Sequence, residues 1–302
     1  DGSAVGLETR KALALLAYLA VESGSQRRDS LVTLLWPDYG QTQGRKVLRQ
    51  TLFQVNKAVG EGWLEATKET IGLQGAADIR CDIAEFCSLL AATRRHEHRS
   101  LEQFPECRQR LGQAAEIYRG DFLAGFTLKN SVSFDDWQFA QSQRLRRALV
   151  EGLDSLVQCL GARRDYGAAI QAAQRWLAVD RLDEAAHRAL MRLYAWNGQR
   201  SAALRRYQEC LRVLGEELDA KPTEPTVELA EAIRAGHLAE QPVGPRGPRE
   251  EQGPRRRREA AAPRAATRPT TAAARRPRLT PKSPSAAASL PAELSPLIGR
   301  KQ

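Results

Sequence analysis

"GRKVLRQTLFQVNKAVG", residues 44–60, carries the clearest pattern in this chain. At 3.6 residues per turn, Leu48, Leu52, Val55 and Val59 fall on one stripe, which predicts a helix over about Thr42–Val59 that stops at Gly60. The opposite side carries Gln43, Lys46, Gln50, Phe53, Gln54 and Lys57, with Arg49 at the flank. No acidic residue occurs between Gln41 and Gly60. Such a face suits a DNA major groove, where Lys and Arg reach phosphates or guanine and Gln can bond an adenine edge. The plainer reading is an amphipathic helix whose outer face is simply solvated.

The neighbouring segments weigh on that choice. Upstream, Leu13, Leu16, Ala17 and Ala20 suggest an inner stripe on a helix over about Glu8–Glu22, and a short helix at about Arg28–Trp36 is stopped by Pro37. Downstream, "WLEATKETIGLQG" places β-branched and apolar residues on either side of a polar Thr67-Lys68-Glu69 tip, the pattern of a small hairpin. Three helices followed by a hairpin is the order of a winged helix-turn-helix. Lys68 at the tip is then placed to meet a DNA backbone or minor groove.

From Cys81 to about Ala239 the period stays helical, with helices expected at roughly 82–94, 103–118, 133–160, 165–178, 182–197, 199–215 and 224–237. "DYGAAIQAAQRWLAV" from Asp165 and "QRSAALRRYQECLRV" from Gln199 match at a step of 34 residues. Ala168 aligns with Ala202, Ala169 with Ala203, Ile170 with Leu204 and Leu177 with Leu211. That is the tetratricopeptide period, with small residues where paired helices approach. Trp137, Trp176 and Trp196 are expected to anchor this repeat core. The fold class expected is mainly α: a winged helix-turn-helix, then a tetratricopeptide-like helical repeat domain, then a disordered tail.

Charge needs partitioning before it is used. The 302 residues carry a net charge of +10. Residues 241–302 hold 14 Lys/Arg and 4 Asp/Glu, which leaves 32 basic and 32 acidic groups in residues 1–240. The folded part is neutral, so any case for nucleic acid rests on local pattern and not on pI. Residues 241–290 are rich in Pro, Arg and Ala and poor in large apolar groups, the composition of a disordered linker. The arginine run at 255–258 reads as a solvated part of it. No stretch approaches the ~18 apolar residues of a membrane span. The five cysteines are scattered without a C-x-x-C pair, as expected of free thiols.

Little here resembles catalytic machinery. His96 and His98 flank Glu97, but positions i and i+2 on a helix point to different sides, so an exposed helix end is the expectation rather than a metal site. Asp135-Asp136 and Glu216-Glu217 are adjacent carboxylates expected at solvated surface. "YRGDFLAGF" (118–126) is not a phosphate loop, since G-x-x-x-x-G-K-[ST] is absent from the chain. No catalytic triad is discernible.

Several segments together resemble one family. "ETRKALALLAYLAVESG", "LVTLLWPD" and "GRKVLRQTLFQVNKAVG", in that order, are similar to the OmpR-type winged helix of SARP-type bacterial regulators. "AAEIYRGDFLAGF" (114–126), "FDDWQFAQSQRLRR" (134–147) and the stretch from Ala186 to Leu218 resemble the bacterial transcriptional activation domain that follows it in such proteins. The resemblance implies a winged-helix DNA-binding domain over 1–78, helical repeats over 79–240, the linker over 241–290, and over 291–302 the start of a nucleotide-binding ATPase domain. The last expectation rests on "SLPAELSPLIGRKQ", whose Leu297-Ile298 would dock on a core that comes later, and it implies continuation beyond Gln302. The function implied is transcriptional activation. Double-stranded promoter DNA would be held by Lys46, Arg49, Gln50, Phe53, Gln54, Lys57 and Lys68. RNA polymerase or a second subunit, as in a homodimer on DNA, would sit on the repeats. A cytoplasmic location follows, without a cofactor in this stretch. The main alternative is a protein-interaction scaffold, or the regulatory front end of a signalling ATPase, without direct DNA contact.

Three departures from the family pattern stand out. Only the last strand of its leading sheet has a counterpart, near Ser3–Leu7, which would leave the back of the helix trio partly bare. Arg27 stands where an N-cap Ser or Thr would serve better. Phe53 and Gln54 replace more polar or cationic groups, which suggests an apolar contact such as a thymine methyl.

Overall fold

The computed structural model describes residues 7–238 apart from 8, 23, 61, 75–80 and 95–104. The strand near Ser3–Leu7 (save Leu7), the His96–His98 pair and everything from 239 onward lie outside the described residues. The chain is mainly helical. Its elements run α1 (Arg10–Val21), β1 (Gln26–Arg27), α2 (Arg28–Leu35), α3 (Gln41–Val59), β2 (Leu64–Ala66), β3 (Thr70–Leu73), then α4 (Asp82–Arg94), α5 (Pro105–Ile117), α6 (Val132–Ala162), α7 (Tyr166–Val179), α8 (Glu184–Trp196), α9 (Arg200–Leu218) and α10 (Glu224–Ala235).

The first three helices pack around Leu15, Leu19, Leu31, Val32, Leu35, Leu48, Leu52 and Ile71, all buried. In α3 the inner stripe is as expected for Leu48, Leu52 and Val55, while Val59 is only half-buried at the fraying end. Thr51 is buried too, its hydroxyl donating to the Val47 carbonyl and so needing no other partner. The α1 stripe differs from expectation. Ala12, Leu15 and Leu19 are buried, whereas Leu13 is 41% exposed and Leu16, Ala17 and Ala20 are partly so. "ALALLAYLA" is apolar nearly all round, so period alone does not select its inward face.

The hairpin is part of a three-stranded antiparallel sheet in the order β1-β3-β2, with Gln26 opposite Ile71 and Leu64 opposite Leu73. The two-residue β1 is an addition to the expected pattern. It also explains the absent cap: Arg27 precedes α2 without a side-chain cap bond, and the Arg28 amide donates instead to the Glu69 carbonyl. Pairing at the sheet edge satisfies a donor that a Ser or Thr would otherwise take.

Gly44 is where α3 comes closest to α2 among the described glycines of this bundle. A Cβ there would penetrate Val32 Cγ1, and Val32 is buried with a stiff χ1. Gly44→Ala should therefore lower unfolding free energy by roughly 1–3 kcal/mol through overpacking, despite up to ~1 kcal/mol of gained helix propensity. Val32→Ala in the same chain should recover part of the loss. A urea titration in which Gly44→Ala proves the more stable protein would contradict this packing.

The core of the trio is closed from far along the chain. Leu128 and Phe134 are buried in it, and Leu123, Phe126 and Trp137 pack against it. Trp137 lies beside Tyr18, ring centroids 4.8 Å apart, and beside Phe134 at 5.2 Å, and its indole N–H donates to Glu22 Oε1 at 2.7 Å. Ser131 Oγ donates to the Leu35 carbonyl at 3.1 Å. Trp137 thus anchors the helix trio and not the core of the later helices, contrary to expectation: the start of α6 faces α1 and α2, and its later turns pack with α5 and α7.

Beyond it, each helix from α4 to α10 packs on its sequence neighbours. One core runs from Phe86 and Leu90 through Leu149, Leu153, Ala169, Ala173 and Trp176 to Leu190 and Leu193, with Trp196 packed against it. A smaller cluster of Met191, Ala203, Tyr207, Leu229, Ala230 and Ile233 closes the far end. The 34-residue match has a physical counterpart in Ala169 and Ala203, both fully buried, while Ala168 and Ala202 are only partly so. Asp183 caps α8 through the amides of Ala185 and Ala186 and accepts the Trp176 indole N–H at 2.8 Å. Of the adjacent carboxylates, Asp136, Glu216 and Glu217 are exposed and Asp135 is partly buried; Glu216 is paired with Arg212 and Glu217 with Arg181. None of the five cysteines forms a disulfide, and three of them are buried.

His187 is buried at the base of α8, its Nε2 3.1 Å from the Arg181 carbonyl and its Nδ1 without a hydrogen-bond partner. Burial pushes its pKa below the ordinary value; the carbonyl bond opposes this and the Arg206 guanidinium adds to it. Since the unfolded imidazole titrates near ~6.5, its neutral burial favours folding above that pH, and the benefit is lost as pH falls through the lower folded value. The melting temperature should accordingly drop between about pH 7 and 5, and His187→Gln should flatten that drop. Parallel profiles for the two proteins would rule the group out.

Candidate nucleic-acid interface

α3 presents its outer face as the wheel requires. Gln43, Lys46, Arg49, Gln50, Phe53, Gln54 and Lys57 are all exposed, Phe53 to 71%. The helix ends at Gly60, whose φ of +97° is a conformation other residues adopt only with strain. Lys68 is exposed in the turn between β2 and β3. The Thr67 hydroxyl accepts the Glu69 and Thr70 amides at 3.2 and 2.9 Å, holding that turn in shape.

Two arginines that the sequence pattern misses tie the face to the hairpin. Arg28, at the first position of α2, donates through Nε to the Thr67 carbonyl at 2.9 Å. Arg45 grips Asp29 in a two-point pair at 2.7 and 2.8 Å, with Glu69 at 4.0 Å. The hydrogen bond from Arg45 holds the Asp29 carboxyl below its usual pKa. Burial lowers the Arg28 pKa, and the neighbouring Arg49 and Arg45 lower it further. Arg28 therefore lies in the positive field of Arg49 and Arg45 at the junction of α2, α3 and the hairpin, opposed by Glu69. The signal present in the sequence is the Arg27-Arg28 pair before "DSLVTLL", which helical period does not single out.

The structure thus brings Lys46, Arg49, Gln50, Phe53, Gln54 and Lys57 together on one helix face, with Lys68 separate from them at the hairpin tip. Chemically, the face offers cationic and amide donors around one exposed aromatic ring. Among the described residues no group of three or more His, Cys, Asp or Glu is placed to hold a metal ion.

Comparison with known proteins gives a consistent result. The family model "BTAD: Bacterial transcriptional activator domain" matches residues 81–234, just over half of the chain. In sequence the chain is 24% identical over 241 residues to the regulatory protein AfsR of Streptomyces coelicolor, a match covering 77% of this chain and 23% of that protein. The chain thus spans about a quarter of that relative's length. Among solved structures it is similar to Mycobacterium tuberculosis EmbR in complex with a low affinity phosphopeptide, with a TM-score of 0.62 and 20% identity, over 80% of this chain and 63% of that one. The latter likeness concerns the fold. With a model match over α4 to α10, the chain belongs to the bacterial transcriptional activator domain family, as a regulator of the SARP type.

Proposed function

We propose that this regulator is a sequence-specific DNA-binding activator. In this reading α1–α3 with the small sheet, residues 1–78, form a winged helix that reads promoter DNA through α3, and Lys68 on the wing meets the backbone. α4–α10, within 79–240, form a tetratricopeptide-like stack that holds RNA polymerase or a second subunit, including a second copy of this chain. The observation that supports it most is the outer face of α3. Seven exposed side chains there include three cations and three glutamines and no carboxylate. Cations position a helix against phosphates, while Arg and Gln have the donor geometry to read base edges.

A regulator of bacterial promoters works in the cytoplasm, where the DNA is. Among the described residues no helix is long and apolar enough to cross a membrane. Phe53 supports a second reading, since an aromatic ring 71% exposed also suits a protein-docking helix. Selection of bound duplexes from a random pool separates the two. A recovered sequence motif supports the first, and a pool that stays random supports the scaffold.

A further inference from the structure

The outer face of α3 has two flanks, and only one of them faces the hairpin. That side carries Arg45 and Arg49 next to Arg28. On the other side, Gln50 and Gln54 form the rim of a cleft of about 570 Å³. Among the described residues, its charged lining groups are three cations, Arg10 and Lys11 from the start of α1 and Lys129 from the segment before α6, with no carboxylate. They are brought together because Leu128 is buried in the core of the helix trio, which seats Thr127 and Lys129 beside α3. Aromatic rings hold two of them in place without neutralising them. The Arg10 guanidinium lies 5.3 Å from the Phe126 centroid, and Lys11 Nζ lies 5.5 Å from that of Trp36. A guanidinium stacked on a ring keeps its N–H edges open to an acceptor. Asp38 opposes the charge of Lys11. Arg10 and Lys129 are exposed.

A major groove is about 12 Å wide and bounded by a phosphate row on each side, and a helix with its side chains is about 10–12 Å across. A helix seated in it meets one row along each flank. We propose that Arg10, Lys11 and Lys129 form a second backbone grip, holding the phosphate row on the side of α3 away from the hairpin. This rests on the reading of α3 as the DNA-contacting helix. Its consequence is that Lys129, within the part of the chain matched by the activator family model, belongs to the DNA footprint. Interactions of this kind set register and affinity and do not discriminate sequence.

The test uses the whole chain, with Lys129→Gln and the double variant Arg10→Gln/Lys129→Gln. Affinity is measured against salt on a selected duplex and on a scrambled one. Arg163→Gln, an exposed cation at the end of α6, serves as the control and should match wild type. Removing one cation from its phosphate should reduce the steepness of log K against log salt by about 0.9, so the double variant should fall by about twice that. Affinity should drop by the same factor on both duplexes. Wild-type slopes in both variants would overturn the proposal, as would a weakening confined to the selected duplex, which marks base reading. Wild-type protein that binds neither duplex at any salt would sink the DNA-binding reading itself, and this grip with it.

Discussion

Phe134→Ala should destabilise the protein by about 3–5 kcal/mol, the usual cost of emptying a large buried aromatic site. Phe134 is fully buried and sits against Phe126 and Trp137, with ring centroids 6.0 and 5.2 Å away, in the core that also holds Leu31, Leu35 and Leu48. The cavity would therefore open beneath α2 and α3, although the mutated residue is some 75 positions downstream of α3. DNA binding should weaken in step with folding as temperature rises. Phe139→Ala, one further turn and more along α6 but 67% exposed, is the matched control and should stay within about 0.5 kcal/mol of wild type. Chemical denaturation of both decides: equal, small effects would mean that residues 123–137 do not close the first core.

The second large effect concerns recognition alone. Replacing Arg49 and Gln50 together by Ala should remove sequence-specific binding, at about 1–3 kcal/mol for each base edge no longer read. Neither side chain is buried, and both point away from Leu48, Leu52 and Val55. Removing Arg49 also relieves its repulsion with Arg28, so folding should not suffer. The expected outcome is an unchanged melting curve without a footprint. A double variant that protects the same site with equal affinity would show that another surface reads the DNA.

Some of this is legible in the residues and some is not, for physical reasons. α3 can be read because its two faces differ sharply, four aliphatic positions against seven polar, cationic or aromatic ones. The hairpin can be read because β-branched residues flank a polar tip. α1 misleads because it is apolar on every side, and its inward face is chosen by partners rather than by period. β1 is two residues long, below what alternation can reveal. Arg28 and Lys129 escape notice because each gains its place through an interaction distant in sequence, Arg28 with the Thr67 carbonyl and Lys129 through the burial of Leu128. Trp137 joins a different core from the one its neighbours in sequence suggest for the same reason, since its hydrogen bond to Glu22 spans 115 positions.

α6 runs unbroken for 31 residues, which at 1.5 Å per residue is a rod of about 46 Å. Phe134 near one end is embedded in the first core, and Leu145 to Leu160 are embedded in the other. No loop intervenes at which the two could swing. If α3 is seated on DNA as proposed, where the face presented to a protein rotates once every 34–36 Å, such a rod would act as a protractor. A partner held by α7–α10 would then be delivered at a fixed compass bearing around the double helix, set by the pitch of α6 rather than by the slack of a tether.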